Sequence, residues 1–310
     1  MSVNTGNYDE VMTLNARLAN IKTVNGYALG LETETGVLDI TATGASLDLP
    51  APRDMDDLLQ NGLGEQVRTI RNAIVDKPGS AVLIPTQEVR FAPLVTRPEK
   101  IICVGFNYQK HAEETGTEIP KAPPLFAKYN NALNHHEGVV TLPTDVDSHF
   151  DYETELVIVF GRMCRNVKED EALEYVAGYT VGNDVSARQL QQTTPQITAG
   201  KISDGFAPVG PWLVTRDRVA DPNNLRLETY FNGEQRQNWT TKDMIYDCRK
   251  LITFIASIMT IQPGDILFTG TPQGVILGEK KPAMLRRWIK PGDEVISTIE
   301  GLGELRVTYN

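Results

Sequence analysis

Two acids separated by one position, Glu153 and Glu155, sit in Asp151-Tyr152-Glu153-Thr154-Glu155, and the chain then runs into the apolar Leu156-Val157-Ile158-Val159-Phe160. On an extended strand from Tyr152 to Phe160, alternate side chains share a face with Cα atoms about 6.5 to 7 Å apart, so both carboxylates would present to one surface. Left alone they repel, and burying even one unpaired anion costs several kcal/mol, so the arrangement needs water, basic partners or a cation. A solvated strand end meets that need in the simplest way. A third acid adds another solution: Tyr179-Thr180-Val181-Gly182-Asn183-Asp184 reads as a second strand that ends in an acid at a turn. If the three converge, a ligand set of carboxylate oxygens without His or Cys suits a hard cation with open positions, Mg²⁺, Mn²⁺ or Ca²⁺ rather than Zn²⁺.

A possible base lies upstream, in Phe106-Asn107-Tyr108-Gln109-Lys110-His111-Ala112-Glu113-Glu114. His111 and Glu114 are three apart, so on a helix they share a face, and the carboxylate can orient the imidazole and raise its basicity as in a water-activating pair. An exposed pair on a surface helix has the same spacing. Lys201 precedes the turn-like Ser203-Asp204-Gly205-Phe206, where it points either at an oxyanion or into solvent. Arg188 and Gln191 lie four and seven residues beyond Asp184 and line the same cavity if that segment coils. Thr271, within Thr269-Gly270-Thr271-Pro272-Gln273-Gly274-Val275, offers a hydroxyl on a glycine-relaxed backbone, suited to a carboxylate. His135-His136-Glu137-Gly138 reads as a loop, because adjacent side chains on an extended segment point apart and do not readily share one ion.

The elements that must position these groups are mostly strands. Ile101 to Val104, Leu156 to Phe160, Trp212 to Val214, Leu225 to Phe231, Asp265 to Phe268 and Glu294 to Ile299 read as extended, the last three beside Asn232-Gly233, Pro263-Gly264-Asp265 and Pro291-Gly292-Asp293 turns. Helical patterns begin near Asp54 (Leu58, Leu59, Val67, Ile70, Ile74) and cover Lys168 to Val176 and Asp243 to Met259. The expectation is an α+β, mainly β protein, with a small N-terminal α+β domain over 1–97 and a catalytic domain over 98–310, Pro98 marking the crossing. Forty acids against thirty bases leave a formal charge of −10, which disfavours nucleic acid and anionic lipid and leaves small-molecule or protein partners. No apolar run is long enough to span a bilayer, and no signal-like segment opens the chain. Cys103, Cys164 and Cys248 are far apart and form no CxxC, as suits reduced thiols in the cytoplasm.

The segments DYETELVIVFGR, VGNDVSARQLQ, AGKISDGFAPVGPWLV and FTGTPQGV, in that order, resemble the fumarylacetoacetate hydrolase family over nearly everything after Pro98. The resemblance implies a mixed β-sandwich roll that dimerises, with Glu153, Glu155 and Asp184 ligating a divalent metal, usually Mg²⁺. NYxxHxxE at residues 107–114 is similar to the lid of the acylpyruvase-like branch, which implies His111 and Glu114 as general base, Lys201 as the stabiliser of enolate charge, and Arg188, Gln191 and Thr271 as substrate contacts. Lys128 matches a family position without an implied role. Two departures, Gln189 in place of the usual acid and Val275-Ile276-Leu277-Gly278 in place of a tighter ending, bear on specificity, and bulky His135 and His136 stand where smaller residues are usual, as if narrowing the pocket. The implied reaction is hydrolysis of a C–C bond in a β-dicarbonyl 2-oxo acid such as an acylpyruvate, His111 activating water and the cation carrying the enolate charge. Decarboxylation or keto–enol tautomerisation of oxaloacetate, isomerisation of a hydroxy-dienoate, and an inactive metal-stabilised binding protein use the same residues.

Overall fold

The computed structural model describes residues 8–310. An 11-stranded sheet runs in the order Leu83–Ile84, Gly36–Asp39, Gly26–Thr33, Arg17–Thr23, Ala207–Thr215, Val176–Asn183, Thr154–Phe160, Ile266–Phe268, Ile101–Val104 and Leu125–Lys128, with Leu133–Asn134 paired to one side. A five-stranded sheet contains Glu234–Thr240, Arg226–Phe231, Glu294–Ile299, Gly303–Tyr309 and Gly138–Val140. Leu227, Ile299 and Leu305 from the smaller sheet share one apolar cluster with Leu156, Ile158 and Val181 of the larger, so the two sheets face each other. The N-terminal strands join the large sheet directly: Arg17 pairs with Val214 and Leu18 with Leu213.

Thr154–Phe160 is buried along its whole length, because Val176–Asn183 and Ile266–Phe268 flank it and apolar clusters cover both faces. A continuous Leu-Val-Ile-Val-Phe run is what such a doubly covered strand requires. Regular pairing begins at Thr154, one residue after Glu153, and Glu153 is held instead by Asn183 Oδ1, which accepts its N–H at 2.9 Å.

The helical pattern from Asp54 is two helices, Met55–Asn61 and Gly64–Asp76. Asp54 caps the first by accepting from Asp57 N–H at 2.7 Å, and Gly62 ends it at φ +63°, a left-handed conformation that glycine adopts without steric cost. The third expected helix starts later than its pattern, at Cys248–Ile258, capped by Asp247 and burying Leu251, Ile252, Ile255 and Ala256. The helix expected over Lys168 to Val176 does not form. Only a 3₁₀ turn, Ala172–Tyr175, is present, because Val176 is already the first residue of a fully buried strand. No helix among the described residues is long and apolar enough to cross a membrane.

Candidate active site

The mouth of the central strand gathers the acids. Asp184 follows the strand Val176–Asn183 and donates its N–H to Glu153 O at 2.8 Å, which ties the two strand ends together. One carboxylate oxygen from each of Glu153, Glu155 and Asp184 lies within 4.8 Å of the others, and all three residues are buried. Lys201 Nζ donates to Glu153 Oε2 at 2.6 Å and to Asp184 Oδ2 at 2.7 Å. Lys128 Nζ donates to Asp184 Oδ1 and, at 3.2 Å, to Val185 O. Arg188 forks between Asp151 Oδ2, at 2.7 and 2.9 Å, and Glu153 Oε1, at 2.8 Å.

Four acids, Asp151, Glu153, Glu155 and Asp184, thus face three bases, Lys128, Lys201 and Arg188, and among the described residues Glu155 is the one of the four acids without a salt bridge. Its carboxylate accepts only Gly270 N–H, at 2.7 Å, among the described residues. Burial, then Asp184 and Glu153, raise Glu155 well above the usual carboxylate range. Burial also works against ionised Glu153, but Lys201, Arg188 and His111 outweigh it and hold that group well below the range. Lys201 is raised, its desolvation offset by Asp184 and Glu153. Three buried oxygen donors, one of them without a salt bridge among the described residues, fit a hard divalent cation.

The candidate base, His111, lies on the helix Gln109–Thr115, which ends at Gly116 in a left-handed conformation. Asn107 anchors the segment before it: its side-chain amide donates to Thr269 O at 2.7 Å and to Tyr246 O at 3.0 Å, and its Oδ1 accepts from Tyr246 N–H at 2.8 Å. His111 Nδ1 and Glu114 Oε1 are 2.9 Å apart. A carboxylate only accepts, so Nδ1 carries the hydrogen and Nε2 is the free acceptor of the neutral ring. Glu114 is itself held by Gly274 N–H, at 3.1 and 3.2 Å. Phe106, at φ +48°, stacks on the imidazole with centroids 5.9 Å apart, a strained backbone of the kind found at functional sites.

His111, Glu153, Glu155, Arg188, Gln191, Lys201 and Thr271 line one cavity. Asp184 and Glu114 stand directly behind its wall, bonded to Lys201 and His111. Arg188 and Gln191 do coil together, on the short helix Arg188–Gln191, with Nη1 donating to Gln191 Oε1 at 2.9 Å. The hydroxyl of Thr271 donates to Thr154 O at 2.9 Å, so its hydrogen is not free for a substrate carboxylate.

His135 and His136 correct the pocket-narrowing expectation, because neither lines this cavity. His135 Nε2 meets Lys22 Nζ at 2.8 Å, and His136 accepts from Arg306 N–H at 3.2 Å and stands edge-on to Phe91. They tie the N-terminal hairpin to the smaller sheet. Gln189 accepts from Ser148 N–H and hydroxyl, which makes it a loop tether.

Two buried residues were named in the sequence reading without a role. Asp151 accepts from Ile276 N–H and Leu277 N–H, both at 2.9 Å, while pairing with Arg188, so it ties this cavity-lining arginine to the loop beside Glu114. Its two-residue spacing from Glu153 was the available signal. Lys128, assigned no role, is a buried partner of Asp184.

Residues 100–309 match the family model described as fumarylacetoacetate (FAA) hydrolase, C-terminal. Over 282 residues the chain is 38% identical to oxaloacetate tautomerase FAHD2A, mitochondrial, of Bos taurus, covering 90% of this chain and 86% of that one. Among solved structures, an HpcE protein from Mycobacterium smegmatis superposes with a TM-score of 0.78 at 34% identity, covering 94% of this chain and 98% of that one. Maleylpyruvate hydrolase from Sphingobium superposes with a TM-score of 0.71 at 29% identity, with the same coverage. With residues 100–309 matched by that model and a relative 38% identical over 90% of its length, this chain belongs to the fumarylacetoacetate hydrolase family.

Proposed function

We propose that this protein is a divalent-metal-dependent tautomerase that interconverts the enol and keto forms of a small 2-oxo acid, with oxaloacetate as the first candidate. The observation that carries the reading is an imidazole whose Nδ1 is pinned by Glu114 and whose ring lines the same cavity as the carboxylates of Glu153 and Glu155. Tautomerisation consumes nothing: one proton leaves the enol oxygen and one arrives at the adjacent carbon. His111 Nε2 is the acceptor that takes that proton and returns it, a role worth roughly 10² to 10⁴ in rate. Lys201, fixed between Glu153 and Asp184, places its ammonium where oxygen charge builds in between. A cation held by Glu153, Glu155 and Asp184, with Mg²⁺ the first choice and Mn²⁺ or Ca²⁺ alternatives, would supply Lewis acidity toward the 2-oxo-acid end. The bovine relative, named for this reaction, supports the same choice.

Hydrolysis of an acylpyruvate is the second reading, and a specific feature favours it. A cavity of about 480 Å³ adjoins the first, sharing Gly105, Phe106, Phe126 and Ile197, and no charged side chain lines it. An uncharged acyl arm would rest there while His111 Nε2 takes a proton from water attacking the distal carbonyl. The Sphingobium hydrolase supports this reading.

The deciding experiment supplies the magnesium-loaded protein with freshly dissolved enol-oxaloacetate, followed by ultraviolet absorbance, and with an acylpyruvate, followed by NMR. Faster ketonisation that Glu153→Gln abolishes supports the tautomerase. Acyl cleavage with unaccelerated ketonisation overturns it in favour of the hydrolase, and the absence of both activities overturns both readings. A homodimer in the cytoplasm belongs to this proposal; buried, unpaired cysteines suit a reducing compartment.

A further inference from the structure

Gln237, on the strand Glu234–Thr240 of the smaller sheet, lies outside the cavity and is fully buried. Its amide nitrogen donates to Pro272 O at 2.7 Å and to Thr271 Oγ1 at 2.9 Å, while its oxygen accepts from Thr229 Oγ1 at 2.6 Å and faces Thr154 N–H at 3.4 Å. The orientation of the amide is fixed by chemistry: a proline carbonyl can only accept and a backbone N–H can only donate, so a flipped amide would oppose like groups at both ends. Thr271 completes the pattern by donating to Thr154 O. A chain of hydroxyls continues from Thr229 to Thr154 Oγ1 and Ser297 Oγ, each step 2.6 Å, all buried between the two sheets.

What Gln237 grips is the loop 269–274, and that loop supports both halves of the site. Gly270 N–H is the hydrogen bond to Glu155, the one of the four acids without a salt bridge among the described residues, and Gly274 N–H is the hydrogen bond to Glu114, the brace of His111. Gly270 and Gly274 have φ of +97° and +105°, so the loop turns sharply at both contacts. A Cβ on Gly274 would come within 2.4 Å of Arg236 O, which places this end of the loop directly against the backbone of the strand that carries Gln237. Between those two contacts Pro272 has no N–H of its own, so the Gln237 amide is what fastens the loop's middle to the smaller sheet.

We propose that Gln237 is a positioning residue that holds the 269–274 loop at the spacing where Glu155 and the His111–Glu114 pair serve one substrate. Its effect on turnover rests on the 2-oxo-acid reading, while its effect on Glu155 is read without turnover.

The test is Gln237→Glu, which keeps the shape and the acceptor toward Thr229 but removes the two-hydrogen donor facing Thr271 and Pro272. Gln237→Met, uncharged and of similar length, is the companion should the first fail to fold, and near-ultraviolet circular dichroism at the assay temperature confirms the native state of each. Calorimetry with magnesium alone should show Kd weakened at least threefold, and kcat for the 2-oxo acid should fall at least tenfold with KM changed less than threefold. A role in stability alone would lower the melting temperature while leaving magnesium Kd and kcat of the folded variant within twofold of wild type, and that result overturns the proposal. If the wild type turns over no 2-oxo acid, the tautomerase reading fails, and the magnesium Kd of the variants still decides the case of Gln237.

Discussion

At the scale of single residues, the centre is governed by one imbalance: Glu155 is buried among like charges with a lone backbone hydrogen bond. Because its carboxyl is raised by burial, Asp184 and Glu153, a cation that requires the ionised form must displace a proton. Magnesium affinity should therefore rise with pH, and calorimetry in buffers of different ionisation enthalpy should register up to about one proton released per ion bound; pH-independent affinity would contradict the assignment. The sign for metal-free stability is opposite. A group raised in the folded state stabilises below its ordinary range and loses that contribution as pH climbs through the folded value, whereas depressed Glu153 contributes above the ordinary range and loses it under acid. Lys128 is the complementary case. Lys128→Met leaves the Asp184 carboxylate with one cation fewer in a dry environment, a loss of about 3 to 5 kcal/mol for a broken buried pair. The melting temperature should fall further in chelator than in magnesium, since the ion replaces part of the missing charge. Equal loss in both would show that Asp184 does not meet the ion.

At the scale of elements, the helix Gln109–Thr115 is coupled to the site through its glycine-lined neighbour. A Cβ at Gly278 would come within 2.3 Å of the Glu114 carboxyl carbon and 2.4 Å of Oε2. The obstacle is the end of a flexible side chain, so Gly278→Ala should leave the melting temperature nearly unchanged while turning Glu114 away from His111 and lowering kcat roughly 10- to 100-fold. Glu114→Gln offers a sharper comparison. It retains an acceptor for Gly274 N–H but removes the charge that stabilises a protonated imidazole, and should cost about 10² in kcat/KM with metal affinity unchanged. Activity within a few-fold of wild type would remove the pair from the mechanism. Among the elements themselves, local pattern served well where a single rule governed, as for the apolar run buried between two strands, but it began the 243–259 helix early, because Asp247 is the cap and the first turn starts at Cys248. It misled at 168–176, where Glu169, Asp170, Glu171, Ala172 and Leu173 have helical composition but the chain must enter a buried strand at Val176.

At the scale of the whole molecule, the two sheets press their apolar faces together and leave the acidic centre at one end of the central strand. A divalent ion that binds only this arrangement should stabilise the folded protein by about 2.7 kcal/mol at a hundred times its Kd, seen as a concentration-dependent rise in melting temperature. No rise with magnesium or manganese would sink the metal centre. The sequence by itself determined the kinds of group available and their local geometry: carboxylates without His or Cys, a His and a Glu one helical turn apart, glycines where a loop must bend, and Val-Ile-Leu runs for buried strands. Such features follow from side-chain chemistry and from backbone periodicity within a few residues. Tertiary structure alone decided that Lys128, Asp151, Asp184 and Lys201, from four separate segments, meet in one charged cluster, and that His135 and His136 lie elsewhere. It also decided which donors stay free, as with the Thr271 hydroxyl already given to Thr154. Those outcomes depend on strand order and on contacts across 17 to 160 positions of chain, which no local pattern encodes.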